Sequence, residues 1–214
     1  NKLAHDELKR SEIEEFLDQT RHALEIVMNN INRAAQLVQS FKQVSADQAS
    51  EHKRIFYLHD YLQDIINSLA PKLTGTKHSI EIDCNERIIL NSYPGFFSQI
   101  FTNLVINSIT HGFEDTDQGS IIISADVDND VLSIHYRDNG KGISSDDMEK
   151  LFTPFFTTKR NKGGTGLGTT ILYNLVTQTL GGKVSCHTPE DGGLEFVMTF
   201  SLTHSAIEQV KFVS

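Results

Sequence analysis

No glycine or proline occurs in the first 70 residues of this chain, and that absence limits the fold more than any other feature. Residues 11 to 45 form one unbroken helical pattern. Leu24, Val27, Ile31, Ala34, Val38 and Phe41 recur at spacings of three and four residues, the seam of a helix hairpin or coiled coil. One amphipathic helix cannot bury such a seam alone, so a partner is implied, although packing on the chain's own domain is the plainer alternative. Ser11 followed by Glu14 fits a capping box and predicts a helix start there, after a short first segment. The run Ser45 to Glu51 is polar and marks the domain boundary, giving a helical segment over 1–48 and a second domain over 51–210.

The second domain has mixed periodicity. Short strands are predicted at Arg54 to Tyr57, Ser79 to Cys84 and Ile88 to Asn91. Helices are predicted from Leu58 to Leu69, stopping before Pro71, from Pro94 to His111, and from about Gly166 to Leu180. Ser120 to Val127 and Val131 to Asp138 pair around Asp128-Asn129-Asp130, and Lys183 to His187 pairs with Leu194 to Leu202 around Asp191-Gly192-Gly193. The expected fold is α+β, a two-layer α/β sandwich with a mixed sheet, preceded by the long helical segment. A net charge of −9 argues against general nucleic-acid binding. No apolar run reaches the ~18 residues of a membrane span. Two cysteines, Cys84 and Cys186, give no disulfide framework and point to a reducing compartment, the cytoplasm, with any inner-membrane attachment carried by upstream segments. The chain begins with Asn1 and is read as a piece of a longer protein.

Four clusters carry chemistry. On the helix before His111, Phe97, Phe101, Leu104, Val105 and Ser108 share the face expected to be core, while Asn103, Asn107 and His111 form a polar stripe beside it. An amide oxygen is a neutral ligand for Mg²⁺, though solvated or hydrogen-bonded asparagines explain the stripe equally well when it is taken alone. In Asp138-Asn139-Gly140-Lys141-Gly142-Ile143, strand alternation places Asp138 on the core side with Leu132, Ile134 and Tyr136. A carboxylate there needs a donor, and the exocyclic amino group of a purine is one; a plain Asp-Asn-Gly turn is the alternative. Leu151 to Lys159 holds Phe152, Phe155 and Phe156, a loop expected to be anchored by aromatic burial. Gly163-Gly164-Thr165-Gly166-Leu167-Gly168 opens a helix and offers N–H groups to phosphate, without the spacing of a dinucleotide fingerprint or a P-loop.

Together, in this order over about 70 residues, these clusters resemble the catalytic ATP-binding domain of sensor histidine kinases, in the superfamily shared with gyrase and MutL. Asn103 to His111 resembles the N box, Asp138 to Ile143 and Gly164 to Gly168 the two glycine boxes, and Phe152 to Phe156 the F box. The resemblance covers about residues 51 to 203. The helical segment resembles the second helix of the dimerisation and histidine-phosphotransfer hairpin. It implies ATP or ADP as ligand with Mg²⁺ held by Asn107, and Asn103 and His111 beside the phosphates. Asp138 would accept from the adenine amino group, with Gly140, Gly142 and Ile143 beside the base. Phe156, Thr157, Thr158, Lys159, Gly164, Thr165, Gly166, Leu167 and Gly168 would complete the nucleotide site at a lid, where Lys159, Arg160 and Lys162 can reach the polyphosphate. It further implies a homodimer through the helical segment, and a response regulator receiver domain as partner.

Three departures stand out. Thr110 occupies a position that is often Lys or Arg in the family. Gly193-Leu194 lacks the threonine hydroxyl that supports the base-binding Asp. No histidine has the full acceptor context: His5-Asp6 begins it but Glu7-Leu8 does not continue it, and His22 is followed by Ala23 and Leu24. The phosphoacceptor is therefore expected upstream of Asn1, and no catalytic residue is assigned within the chain.

Overall fold

The structure is a computed structural model describing residues 10–50, 52–159, 164–203, 205 and 207–209; within the first helix, the side chains of residues 10–12, 33–34 and 36–50 are not described. Contacts divide the chain into two units, Asn1–Ser45 with Thr157–Thr165, and Ala46–Phe156 with Gly166–Ser214.

In the first unit, α1 is a single helix, Arg10–Ser50, that runs on past Ser45. It starts one residue before Ser11, so Ser11 is helical rather than the cap. Leu24, Val27 and Ile31 are each more than half exposed. The remaining seam positions, Ala34, Val38 and Phe41, lie outside the described side chains.

The second unit is the mixed two-layer sandwich. Its main sheet has the order β2 (Ser79–Cys84), β4 (Ser120–Asp128), β5 (Val131–Asp138), β7 (Leu194–Ser201), β6 (Lys183–His187). β2 pairs with β4 in parallel, and the other neighbours are antiparallel. A smaller sheet joins β1 (Arg54–Tyr57), β3 (Ile89–Ser92) and the unexpected two-residue β8 (Glu208–Gln209). Helices α2 (Leu58–Leu73), α3 (Pro94–Asn107) and α5 (Gly168–Asn174) accompany the sheet, with a short α4 (Ser145–Met148) between β5 and α5.

Alternation decides the core. Ile121, Ile123 and Ala125 of β4, Leu132, Ile134 and Tyr136 of β5, and Phe196, Met198 and Phe200 of β7 are buried on one face. The helical layer answers with Leu58, Leu62, Phe97, Phe101, Leu104, Val105 and Leu172. Phe97 links the two sheets' surroundings, its ring 5.6 Å from Phe56 and 6.4 Å from Phe200.

Helix ends differ from expectation. α2 does not stop before Pro71 but continues to Leu73, because a proline in the last turn removes few helical bonds and Thr74 N–H still reaches the Ala70 carbonyl at 3.0 Å. The helix predicted over Pro94 to His111 is α-helical only to Asn107 and ends in a π-helical turn, Ser108–Gly112, closed by Phe113 N–H donating to the Ser108 carbonyl at 2.8 Å. α5 likewise ends in a π-turn, Leu175–Thr179. α4 starts where the Ser144 hydroxyl accepts from Asp147 N–H at 3.2 Å. Among the described residues, no helix is long and apolar enough to cross a membrane.

Candidate nucleotide site

Asp138 ends β5 and is 4% exposed. Its carboxylate accepts from Ser108 Oγ at 2.5 Å on Oδ2 and from Gly140 N–H at 3.0 Å on Oδ1. Each oxygen keeps a lone-pair direction for a further donor. Cross-strand register sets Leu194 beside it on one side and Ile121 on the other. The missing threonine hydroxyl at 194 is thus matched by a hydroxyl from the opposite layer. Ser108 was expected only as a core-face residue, and it is the site residue that helix periodicity misses. The signal was present: Ser108 and Asp138 are polar groups on facing core surfaces, and buried polar groups pair.

Gly140 is required by close approach. A Cβ there would lie 2.7 Å from Gly112 Cα, where Lys141 N–H also donates to the Gly112 carbonyl at 3.0 Å. Gly112 in turn faces the Asp138 carboxylate. The loop after β5 is thereby held against the π-turn after α3. Gly142 has a positive φ, and Ile143 packs on the core edge.

At the other end of this cluster, a Cβ on Gly168 would stand 3.4 Å from the Asn107 amide, so α3 and the start of α5 meet there. Asn103, one turn back, has a buried Nδ2 without an acceptor, the only such side-chain atom among the described residues. An unanswered N–H donor fits an anionic oxygen, and the Asn107 amide oxygen is a suitable hard-cation ligand. His111 sits in the π-turn that follows the Asn103–Asn107 stripe. It is partly buried and has its own contacts.

The aromatic loop is only partly anchored. Phe152 packs on Tyr173 and Phe196, at ring distances of 5.2 and 6.4 Å. Phe156 is half-buried. Phe155 departs from the expectation of burial, being 51% exposed with φ of 65°. Gly166, at φ 67°, passes close against this backbone: a Cβ there would lie 2.5 Å from the Phe155 carbonyl carbon. Leu167 precedes α5, its carbonyl accepting from Ile171 N–H at 2.8 Å.

Thr157, Thr158, Lys159, Gly164 and Thr165 fall in the first unit. There Lys159 N–H donates to Thr157 Oγ1 at 3.1 Å, and Gly164 N–H to the Lys159 carbonyl at 3.1 Å. Arg160, Lys162 and Gly163, expected near the polyphosphate, lie outside the described residues, as does His5. His22 is exposed on α1.

A family model described as "Histidine kinase-, DNA gyrase B-, and HSP90-like ATPase" matches residues 93–204, just over half of the chain and all four clusters. The chain belongs to this family. Among curated relatives of this ATPase domain, sensor kinase CckA of Brucella abortus is 32% identical over 79% of the chain, and sensor histidine kinase RcsC of Escherichia coli 30% identical over 81%. The chain spans about a fifth of the length of these relatives. The fold is that of solved histidine kinase catalytic domains. The catalytic domain of histidine kinase ThkA aligns with a TM-score of 0.62 at 24% identity, covering 70% of this chain and 95% of that one. ThkA in complex with response regulator TrrA aligns with a TM-score of 0.64 at 22% identity, covering 83% of this chain and 50% of that one. The chain is therefore a histidine-kinase-type ATPase catalytic domain, which binds ATP, preceded by a long helix.

Proposed function

We propose that this chain is the part of a two-component sensor histidine kinase that delivers the ATP γ-phosphoryl group to a histidine on a helical domain, for relay to an aspartate of a response regulator receiver domain. The observation that carries the proposal is the cluster at the end of α3, where Ser108 meets the buried Asp138 carboxylate of β5, which has acceptor capacity to spare, and Asn103 on α3 has an unanswered donor. In this reading Asp138 accepts from the adenine amino group, with Gly140, Gly142 and Ile143 shaping the wall beside the base. Asn103 and His111 lie beside the phosphates. Phe156 to Lys159 and Gly164 to Gly168 form the lid, with cationic and N–H donors for the polyphosphate. Asn107 holds Mg²⁺, which neutralises phosphate charge when bound. The protein's own contribution is positioning and charge screening.

The domains divide at 1–48 and 51–210, and the exposed seam of α1 pairs with an upstream helix and with a second copy. A hydrolase of the same superfamily is disfavoured: it requires a carboxylate one turn before Asn107, and Asn103 there cannot act as a base. A regulatory module that binds ATP without transfer is separated by phosphoryl transfer itself.

Two expected results test this reading. Calorimetric titration should give ATP binding that strengthens with Mg²⁺, and it should weaken in Asn107→Ala; no binding at millimolar ATP, with or without the ion, contradicts the site. Sedimentation of a version extended at its N-terminus should show a dimer, and Ile31→Asp should convert it to a monomer. An extended version that stays strictly monomeric rules out pairing through α1.

A further inference from the structure

Three polar residues are buried among those described, Ser92, Ser108 and Asp138, and two of them bond to each other. A third partner completes the arrangement. Tyr136 lies two residues before Asp138 on the same face of β5, is fully buried, and has its hydroxyl 2.8 Å from Ser108 Oγ. Burial pushes the Tyr136 phenol well above its ordinary range, and the nearby Asp138 charge adds to this against the opposing Ser108 hydrogen bond. The phenol therefore keeps its proton, and the acceptor it faces is Ser108 Oγ. A serine hydroxyl has one proton to give. With Tyr136 donating to it, Ser108 donates to Asp138 Oδ2. The direction of the chain is fixed: Tyr136 to Ser108 to Asp138.

This direction has a consequence for what Asp138 offers a ligand. Ser108 Oγ donates to Oδ2 and the Gly140 N–H to Oδ1, so both carboxylate oxygens already serve as acceptors. Such a carboxylate can only accept. Its cross-strand neighbour Leu194 adds no donor and no acceptor.

We propose that Ser108, oriented by Tyr136, is a positioning and specificity-determining residue that holds Asp138 as a pure acceptor, so that the site takes a purine bearing an exocyclic amino group at this point and refuses one bearing a carbonyl. The proposal rests on the reading that Asp138 meets the adenine base. Ser108 acts through Asp138 and does not need to touch the nucleotide.

The test compares ATP, inosine triphosphate and purine riboside triphosphate by calorimetry, in the whole chain with Mg²⁺ present. The second nucleotide replaces the amino group by a carbonyl, and the third by hydrogen. The unsubstituted chain should prefer ATP over both by about tenfold or more, as a charge-assisted hydrogen bond requires. Ser108→Ala should shrink both preferences by about three- to tenfold while changing purine riboside triphosphate affinity by less than about twofold. A purely structural role would weaken all three nucleotides alike. Tyr136→Phe, which keeps the ring and removes only the orienting hydroxyl, should lower the preferences in the same direction by a smaller factor. Preferences undiminished in both variants, or equal losses for all three nucleotides, overturn the role of Ser108 alone. An unsubstituted chain that binds all three equally, or none, overturns the adenine contact of Asp138 and the proposal with it.

Discussion

Asp138→Asn is expected to cost about 1.5–3 kcal/mol of ATP affinity, roughly a ten- to hundredfold rise in Kd, because an amide oxygen is a weaker acceptor than a carboxylate and the amide has only one of them. The geometry sharpens this. Ser108 donates to one carboxylate oxygen and Gly140 to the other, so an amide leaves one of these donors facing an NH₂ group. The variant should therefore also be less stable by about 1–3 kcal/mol, the cost of an unanswered buried donor. Titration well below its unfolding midpoint separates the two losses. ATP affinity equal to that of the unsubstituted chain contradicts the assignment of Asp138 to the base.

Phe97→Ala should have the largest effect on the fold. The ring is 1% exposed and lies between Phe56 of the small sheet and Phe200 of the main sheet. Removing a fully buried ring should cost about 3–5 kcal/mol, a large share of the ~5–15 kcal/mol typical of a domain. Urea unfolding followed by circular dichroism should show the midpoint falling without a change in slope. The exposed Ile122→Ala, by contrast, should move it little. A midpoint for Phe97→Ala within the spread of such surface variants would show that α3 is not the element joining the two layers.

The strands of the main sheet were legible because their signal is local. In β5 the residues Leu132, Ile134, Tyr136 and Asp138 alternate with polar ones, and the structure buries that set. Helix termini were less legible, because they are decided by partners far along the chain. Ser108 bonds to Asp138, thirty residues away, and the α3 geometry widens into a π-turn there. Pro71 suggested a stop, but the last turn of a helix can lose one N–H at little cost. The two residues of β8 are too few to carry a period, and only pairing with Leu90 and Asn91 defines them. In the candidate site, Asp138, Asn107 and the glycines could be named from spacing and resemblance. The hydroxyl answering Leu194 was only half legible: periodicity put Ser108 on the core face, but its pairing with Asp138 across the layers is a property of packing. The exposure of Phe155 was hidden for the same reason: composition favours burial, while its positive φ and the close passage of Gly166 are set by loop packing.

The activity proposed for this chain is delivery of a phosphoryl group to a histidine outside the ATPase domain. Incubation with γ-labelled ATP and Mg²⁺, with and without an added helical domain carrying the upstream acceptor helix, tests it most directly. The acceptor imidazole must come in line with the γ-phosphoryl group at about 3–3.5 Å, and His22 lacks the neighbouring acidic residue and proline that would suit it to that role. The chain alone should therefore remain unlabelled, and the added domain should take up acid-labile phosphate that Asn107→Ala greatly reduces. Acid-labile label on the chain alone, lost in His5→Ala or His22→Ala, would place the acceptor within these residues, and an added domain left unlabelled by an ATP-bound chain would contradict the transfer itself.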